Sequence, residues 1–202
     1  MDSETVLSAV VGLGLSAACG FRVFVPLLVM SIASMAGHLT LSPGFEWIGT
    51  YPALLAFAVA TVLEIAGYYI PWVDNFLDVI GAPAAIIAGI IVMASSVADV
   101  SPFLRWSLAV IAGGGIAATF HALTGVARAA SSVKTAGAGN FILSTAETGG
   151  ATAFSILAVA LPVLGVAVIA FLLGIACLSG RAVLRKIRSK KAGTGSRFLD
   201  LW

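Results

Sequence analysis

Charge is what this chain has least of. Of its 202 residues only 10% are Asp, Glu, Lys or Arg, where soluble domains carry roughly 25%. That shortfall excludes an ordinary water-soluble fold. Hydrophobic residues make up 60% of the chain, more apolar surface than a globule of this size can hide. A bilayer removes the difficulty, because there the solvent itself is apolar. Cysteine is almost absent. Cys19 and Cys177 are the two present, and each reads as a small buried hydrophobe within an apolar stretch. Neither a disulfide framework nor a metal-type spacing can be built from them, so no metal and no cofactor is expected. A basic leader is also missing. The chain begins Met1-Asp-Ser-Glu-Thr5, which is acidic, so a cleaved signal peptide is not expected.

What is present is a series of apolar runs. A membrane helix needs about 20 predominantly apolar residues. Val79 to Ala98 and Thr148 to Gly180 carry no charge, Trp106 to Ala127 carries no Asp, Glu, Lys or Arg and one histidine, His121, and Tyr51 to Ile70 carries only Glu64. The first stretch, Thr5 to Gly37, is too long for one straight crossing. Arg22 lies in its middle and Pro26 follows shortly. The preferred reading is one crossing kinked at Pro26. The alternative is a re-entrant hairpin of two half-helices, which needs protein or a wet cavity around its broken backbone. The fold expected is therefore all-α, a polytopic transmembrane bundle of about five spans.

The basic residues are unevenly placed. Arg181, Arg185, Lys186, Arg188, Lys190, Lys191 and Arg197 all fall in the last part of the chain. The expected organisation is a transmembrane domain over 1–180 and a basic cytoplasmic tail over 181–202. Such a run after an apolar span reads as a flank that sets orientation and touches anionic lipid. That is preferred to a nucleic-acid site. With five crossings and the tail inside, the N-terminus is outside. Trp47, Trp72 and Trp106 fall near predicted span ends, as interfacial aromatics do. A weak internal similarity links Gly12-Leu-Gly-Leu-Ser-Ala17 to Gly113-Gly-Gly-Ile-Ala-Ala118. As an inverted repeat it would place two oppositely oriented copies. Small residues are also common wherever membrane helices pack closely.

Ionisable side chains inside a membrane are expensive and normally face the protein interior or a water-filled cavity. Arg22, Glu64, His121 and Arg128 stand out. Glu64 and Tyr68 share a helix face, and an Arg22–Glu64 ion pair would lower the cost of both. His121 and Arg128 are two turns apart on one face. Together with Tyr68 they are candidates for a polar path or binding site between helices. Structural pairs that fix helix packing are the equal alternative. Ser144-Thr-Ala-Glu147 reads as a capping box starting the last helix. A Ser144–His121–Glu147 hydrolase is drawable but has no nucleophile-elbow glycines around it, so no enzyme is expected. Asp74 reads as a helix cap, with Asp78 one turn on. Two carboxylates alone are too few for a cation site. Lys134, Gly137, Gly139 and Asn140 mark a loop.

These residues resemble a known family. The chain is similar to the bacterial integral membrane proteins grouped as domain of unknown function 4126. The matching pieces are Gly20-Phe-Arg22-Val-Phe-Val-Pro26, then Leu63-Glu64 with Ile70-Pro71-Trp-Val-Asp74, and Pro83. His121, Arg128, Ser144-Thr-Ala-Glu147 and Pro162 follow in the same order. The chain departs from the pattern at Gly67-Tyr68-Tyr69, where an acidic-basic pair is often found. It departs again at Thr148, where a second acid often follows Glu147. The resemblance implies a small multi-span protein and brings no activity with it. The residues themselves point to a transporter, channel or lipid translocator for an anionic solute or lipid. It would sit in a bacterial inner membrane among lipids, with a homo-oligomer allowed. The rival is a non-transporting structural or assembly protein.

Overall fold

The protein is seen in a computed structural model that describes residues 3–135 and 139–174. Among the described residues the chain is helical, with no strand. The helices are α1 (Ser3–Cys19), α2 (Phe24–Met35), α3 (Tyr51–Gly67), α4 (Pro71–Ser96), α5 (Pro102–Leu108), α6 (Gly115–Thr135) and α7 (Asn140–Ala160). An eighth, α8, covers Pro162–Gly174. A 3-10 turn, Glu46–Gly49, precedes α3, and a π-helical segment, Ala109–Gly114, joins α5 to α6. The chain divides into two units, Met1–Val166 and Ala167–Trp202. The second is described only over 167–174, where it is helical.

Helix ends follow from local chemistry. Pro71 and Pro102 open α4 and α5, where a missing N–H costs nothing. Ser101 Oγ accepts the Leu104 N–H at the start of α5. At the end of α2, Gly37 adopts φ 75°. His38 N–H bonds to Ala33 O and Gly37 N–H to Ser34 O, the paired closure that needs glycine in the left-handed region.

Close contacts fix the helix directions. Ser16 Oγ donates to Gly89 O at 3.0 Å, while Gly12 abuts Met93 and Ser96, so α1 and α4 are antiparallel. Ser95 Oγ meets Met30 Sδ at 3.2 Å, so α2 runs back alongside α1. The first stretch is therefore a helical hairpin, not a single kinked crossing. The reason is physical. Gly20 is pressed onto α6, where a Cβ would come within 2.7 Å of Ala117 O. Pro26 falls in the first turn of α2, where its lost N–H has no intrahelical partner anyway. Pro26 starts a new helix instead of bending an old one.

The α6 side follows the same logic. Gly113 packs on Gly89 and Met93, and His121 on Gly81, so this helix too is antiparallel to α4. It is then parallel to α1. Residues 12–17 and 113–118 clasp one helix from two sides in the same direction, which overturns the inverted repeat. The charge-free stretch from Thr148 is also divided. Helix α7 ends at Ala160, Leu161 leaves helical geometry, and Pro162 opens α8. Cys19 is buried and unpaired. Cys177, Gly137 and the basic tail lie outside the described residues.

Among the described residues three helices are long and apolar enough to cross a membrane: Val79–Ser96 within α4, Pro102–Val133, and α7. Helices α1, α2, α3 and α8 are apolar but shorter. Large apolar side chains such as Tyr51, Leu55, Phe103, Ile111 and Val126 face outward, a surface that lipid accepts and water does not. The interior at the level of Gly89 is built from Leu15, Cys19, Met30, Val92 and Ala117. Trp47, Trp72 and Trp106 are exposed near helix starts.

Candidate functional site

Helices α1 and α3 end, and α2 and α4 begin, where the charges gather. The α1–α2 turn, the end of α3 and the start of α4 all lie at one end of the bundle. The α6 residues near Arg128 and the α7 residues 144–148 meet them there. On α4 the apolar span begins at Val79, so Asp74 marks the border of the apolar region.

Arg22, on the α1–α2 turn, is 1% exposed. Its Nε donates to Thr148 Oγ1 at 3.1 Å, and its Nη2 donates to Ser144 O at 2.9 Å and Ser144 Oγ at 2.6 Å. Nη2 also lies 3.5 Å from Glu147 Oε2. Residues 144, 147 and 148 share one face of α7, because positions three and four apart are neighbours on a helix.

Arg128, in the second half of α6, is also buried. Its Nε donates to Glu147 Oε1 at 2.9 Å and its Nη2 to Glu147 Oε2, while Nη1 donates to Asp74 Oδ1. Glu147 thus binds Arg128 in two places and faces Arg22 as well. Tyr68, which caps α3, presents its ring to both cations. The Cζ of Arg22 is 3.9 Å and that of Arg128 4.3 Å from the ring centroid, within the range where a ring face attracts a cation. Beside this network is a cavity of about 170 Å³ lined by Phe21, Tyr68, His121, Thr124, Gly125, Arg128 and Glu147.

Glu64 has another role. Its Oε1 accepts the Val23 N–H at 2.7 Å and its Oε2 the Phe24 N–H at 3.0 Å. These N–H groups belong to the N-terminus of α2, where a helix has unsatisfied donors and a partial positive charge. The carboxylate of α3 therefore caps α2, whose own Val23 provides no side-chain cap.

Several expectations change. Among the described residues Arg22 pairs with Glu147, and the Arg22–Glu64 ion pair is replaced by the backbone contacts of Glu64. The cavity is lined by Arg128 and Glu147, and Glu64 is not part of its lining. Ser144 and Glu147 do not form a capping box: α7 begins a turn earlier, at Asn140, which leaves both residues inside the helix to face the arginines. Ser144 Oγ is held by Arg22, and no hydrogen bond to His121 occurs among the described residues. Asp74 is not a cap either. Ile70 occupies that position, and Asp74 turns to Arg128, with Asn140 Nδ2 at 3.5 Å from its other oxygen. Asp78 follows one turn later on α4, its side chain outside what is described. Lys134 is within α6 and Asn140 within α7, not in a loop, with the Lys134 side chain likewise outside what is described.

Arg22 and Arg128 both meet the Tyr68 ring, and Tyr68, Arg128 and His121 line the cavity. Sequence reasoning missed Thr148 as a partner of Arg22 and Phe21, Thr124 and Gly125 as lining. The recurring 144–147–148 face was the signal that could have found Thr148. Among the described residues no group of His, Cys, Asp and Glu side chains is arranged to hold a metal ion.

Neither a curated protein nor a solved structure matches this chain. A family profile does match, over residues 9–182. The chain belongs to the family described as Domain of unknown function (DUF4126).

Proposed function

We propose that this chain is a membrane transport protein for a small charged solute or a lipid headgroup, with the arginine–carboxylate cluster as its site. One observation carries the reading. Among the described residues, two guanidiniums and three carboxylates from the hairpin turn and helices α3, α4, α6 and α7 converge, and a small cavity opens beside Arg128 and Glu147. Burying so many charges at the border of an apolar region is expensive, and chains that keep them usually use them. Tyr68, His121 and Arg128 line the path, Arg22 adjoins it through the Tyr68 ring, and Glu64 holds the turn that carries Arg22. The protein sits in a bacterial inner membrane with its basic tail on the cytoplasmic side, works without a covalent catalytic step, and can assemble with copies of itself.

The second reading is a clasp. Glu147 already engages both arginines, and such a closed network can simply fix which helices pack together. Flux separates the two. Wild-type protein in proteoliposomes is compared with Arg22→Gln and Glu147→Gln, following chloride and formate efflux and dithionite access to a fluorescent phospholipid. The transport reading expects wild-type flux for at least one probe and at least tenfold less in correctly inserted variants. Flux that is equal in all three proteins, or absent from wild type for every probe, overturns it.

A further inference from the structure

The cavity beside Arg128 has an entrance. Gly125 is part of its lining and is also exposed, so the cavity opens there. Nothing lies within 4 Å of where a Gly125 Cβ would be. Gly89 and Gly113 differ, because each is met by the other's backbone. A glycine inside a helix weakens it. At Gly125 that weakness is not offset by any close helix contact.

A second observation concerns His121, whose ring is turned into the bundle. A Cβ on Gly81 would lie 2.9 Å from His121 Cε1, 3.4 Å from its Nε2 and 3.6 Å from Tyr68 Oη. The imidazole and the Tyr68 hydroxyl therefore converge over α4, and both residues line the cavity. The imidazole makes no hydrogen bond and no ion pair among the described residues. A neutral imidazole has one donor and one acceptor nitrogen, and histidine is the side chain best suited to take up a proton at physiological pH. Arg128 and Glu147 give the same cavity wall one charge of each sign.

We infer that the cavity binds a short monocarboxylic acid, admitted past Gly125, which gives its proton to His121 and remains as the carboxylate. The step balances. The acid O–H bond breaks, an N–H bond forms on the imidazole, and no other reactant takes part. The wall then holds an opposite charge for each product: Glu147 for the imidazolium and Arg128 for the carboxylate. An acid that arrives with its proton adds no net charge to the cluster, whereas a bare anion or cation would. The other titratable groups at this end, among the described residues, are Cys19 on α1, Arg22 on the turn, Glu64 and Tyr68 on α3 and Asp74 on α4. Size sets the chain length. A cavity of about 150 Å³ holds one benzene, so about 170 Å³ takes an acid of up to about four carbons, with its alkyl end against Phe21. This deepens the transport reading and rests on it only for flux.

The test is binding with a proton count. Full-length protein in detergent is dialysed to equilibrium against radiolabelled propionate, and proton uptake is followed with a pH indicator in weak buffer. Wild type is expected to take up one proton for each propionate bound, and its dissociation constant to rise about tenfold between about pH 7 and pH 8. Chloride, 1-propanol and propylammonium at equal concentration should not compete. Gly125→Leu, which fills the entrance from a position where a Cβ meets no other atom, should fold and bind propionate at least tenfold more weakly. His121→Asn should lose the proton uptake and the pH dependence. Should either variant fail to fold, the wild-type proton count decides alone. Binding that is independent of pH, or no saturable binding, overturns the inference, as does unchanged affinity in Gly125→Leu. Proton-linked binding without flux of propionate or any other probe keeps the pocket and removes the transport reading. Formate flux without propionate binding does the reverse.

Discussion

The two halves of this bundle are held together by opposite means. Around Gly89, helices approach because side chains are missing. A methyl at Gly113 would come within 2.6 Å of Gly89 O, and one at Gly14 within 2.5 Å of the Ala158 Cβ. Around Arg128, the helices are held by long side chains with directional bonds to Asp74 and Glu147. The first half cannot accept added volume. The second cannot accept a lost partner. Membrane helices have no hydrophobic drive to associate, so close packing and polar bonds must supply specificity. Here the two devices are separated along the helix axes.

The largest effect is expected where volume is added to the packed half. Gly113→Leu forces the α4 and α6 backbones apart, and no monodisperse protein should be recovered by size-exclusion chromatography in detergent. Recovery at the wild-type elution volume would mean the contact at Gly89 is softer than described.

Next comes the loss of a partner in the charged half. Arg128→Ala leaves Asp74 and Glu147 buried with reduced compensation, and such breaks cost about 3–5 kcal/mol. Thermal unfolding in detergent should show a large drop. Arg128→Lys should restore little of it, because an ammonium cannot reproduce the fork that meets Glu147. Full rescue by lysine would make charge alone sufficient.

Tyr68→Leu sharpens the comparison. It keeps an apolar side chain but removes the ring face shared by both arginines, a loss of about 2 kcal/mol for desolvated cation contacts. A midpoint equal to wild type would show that the ring is only filler. Thr119→Ala is the smallest. Thr119 is exposed on α6 and, among the described residues, bonds only to Gly115 O of its own helix, so its effect should stay within about 0.5 kcal/mol.

Much of this was legible before the structure. The runs that became α3, α4, the α5–α6 helix and α7 stood out because hydrophobic length is a local property. Arg22, His121 and Arg128 stood out because charge is rare in such runs. The hairpin was not legible in the same way. A proline after an arginine fits a kink or a restart equally well, and the decision is made by Gly20 meeting the Ala117 carbonyl, a contact a hundred residues away in the chain. The ion-pair partners were misassigned for a similar reason. Glu64 and Glu147 are both acids one turn from cluster residues, and only the turn at Val23 and Phe24 shows which of them meets backbone. The pattern Ser144-x-x-Glu147 fits a cap as well as a buried face, and the true start at Asn140 depends on residues with no apolar period. Tyr68 gains meaning from the fold. In the position where the resemblance implied an acidic-basic pair, this chain places a ring that both cations contact.

The central claim is that the charged end is a site and not only a clasp. The most direct measurement is made on the Asp74→Asn/Arg128→Met/Glu147→Gln triple variant, which removes the network but keeps Arg22 and Glu64 as one charge of each sign. Replacing a buried ionic network by neutral groups of similar size is often neutral or stabilising. The account predicts a triple variant that unfolds within a few degrees of wild type yet passes chloride, formate and labelled lipid no faster than empty liposomes. Wild-type flux in that stable variant would contradict it.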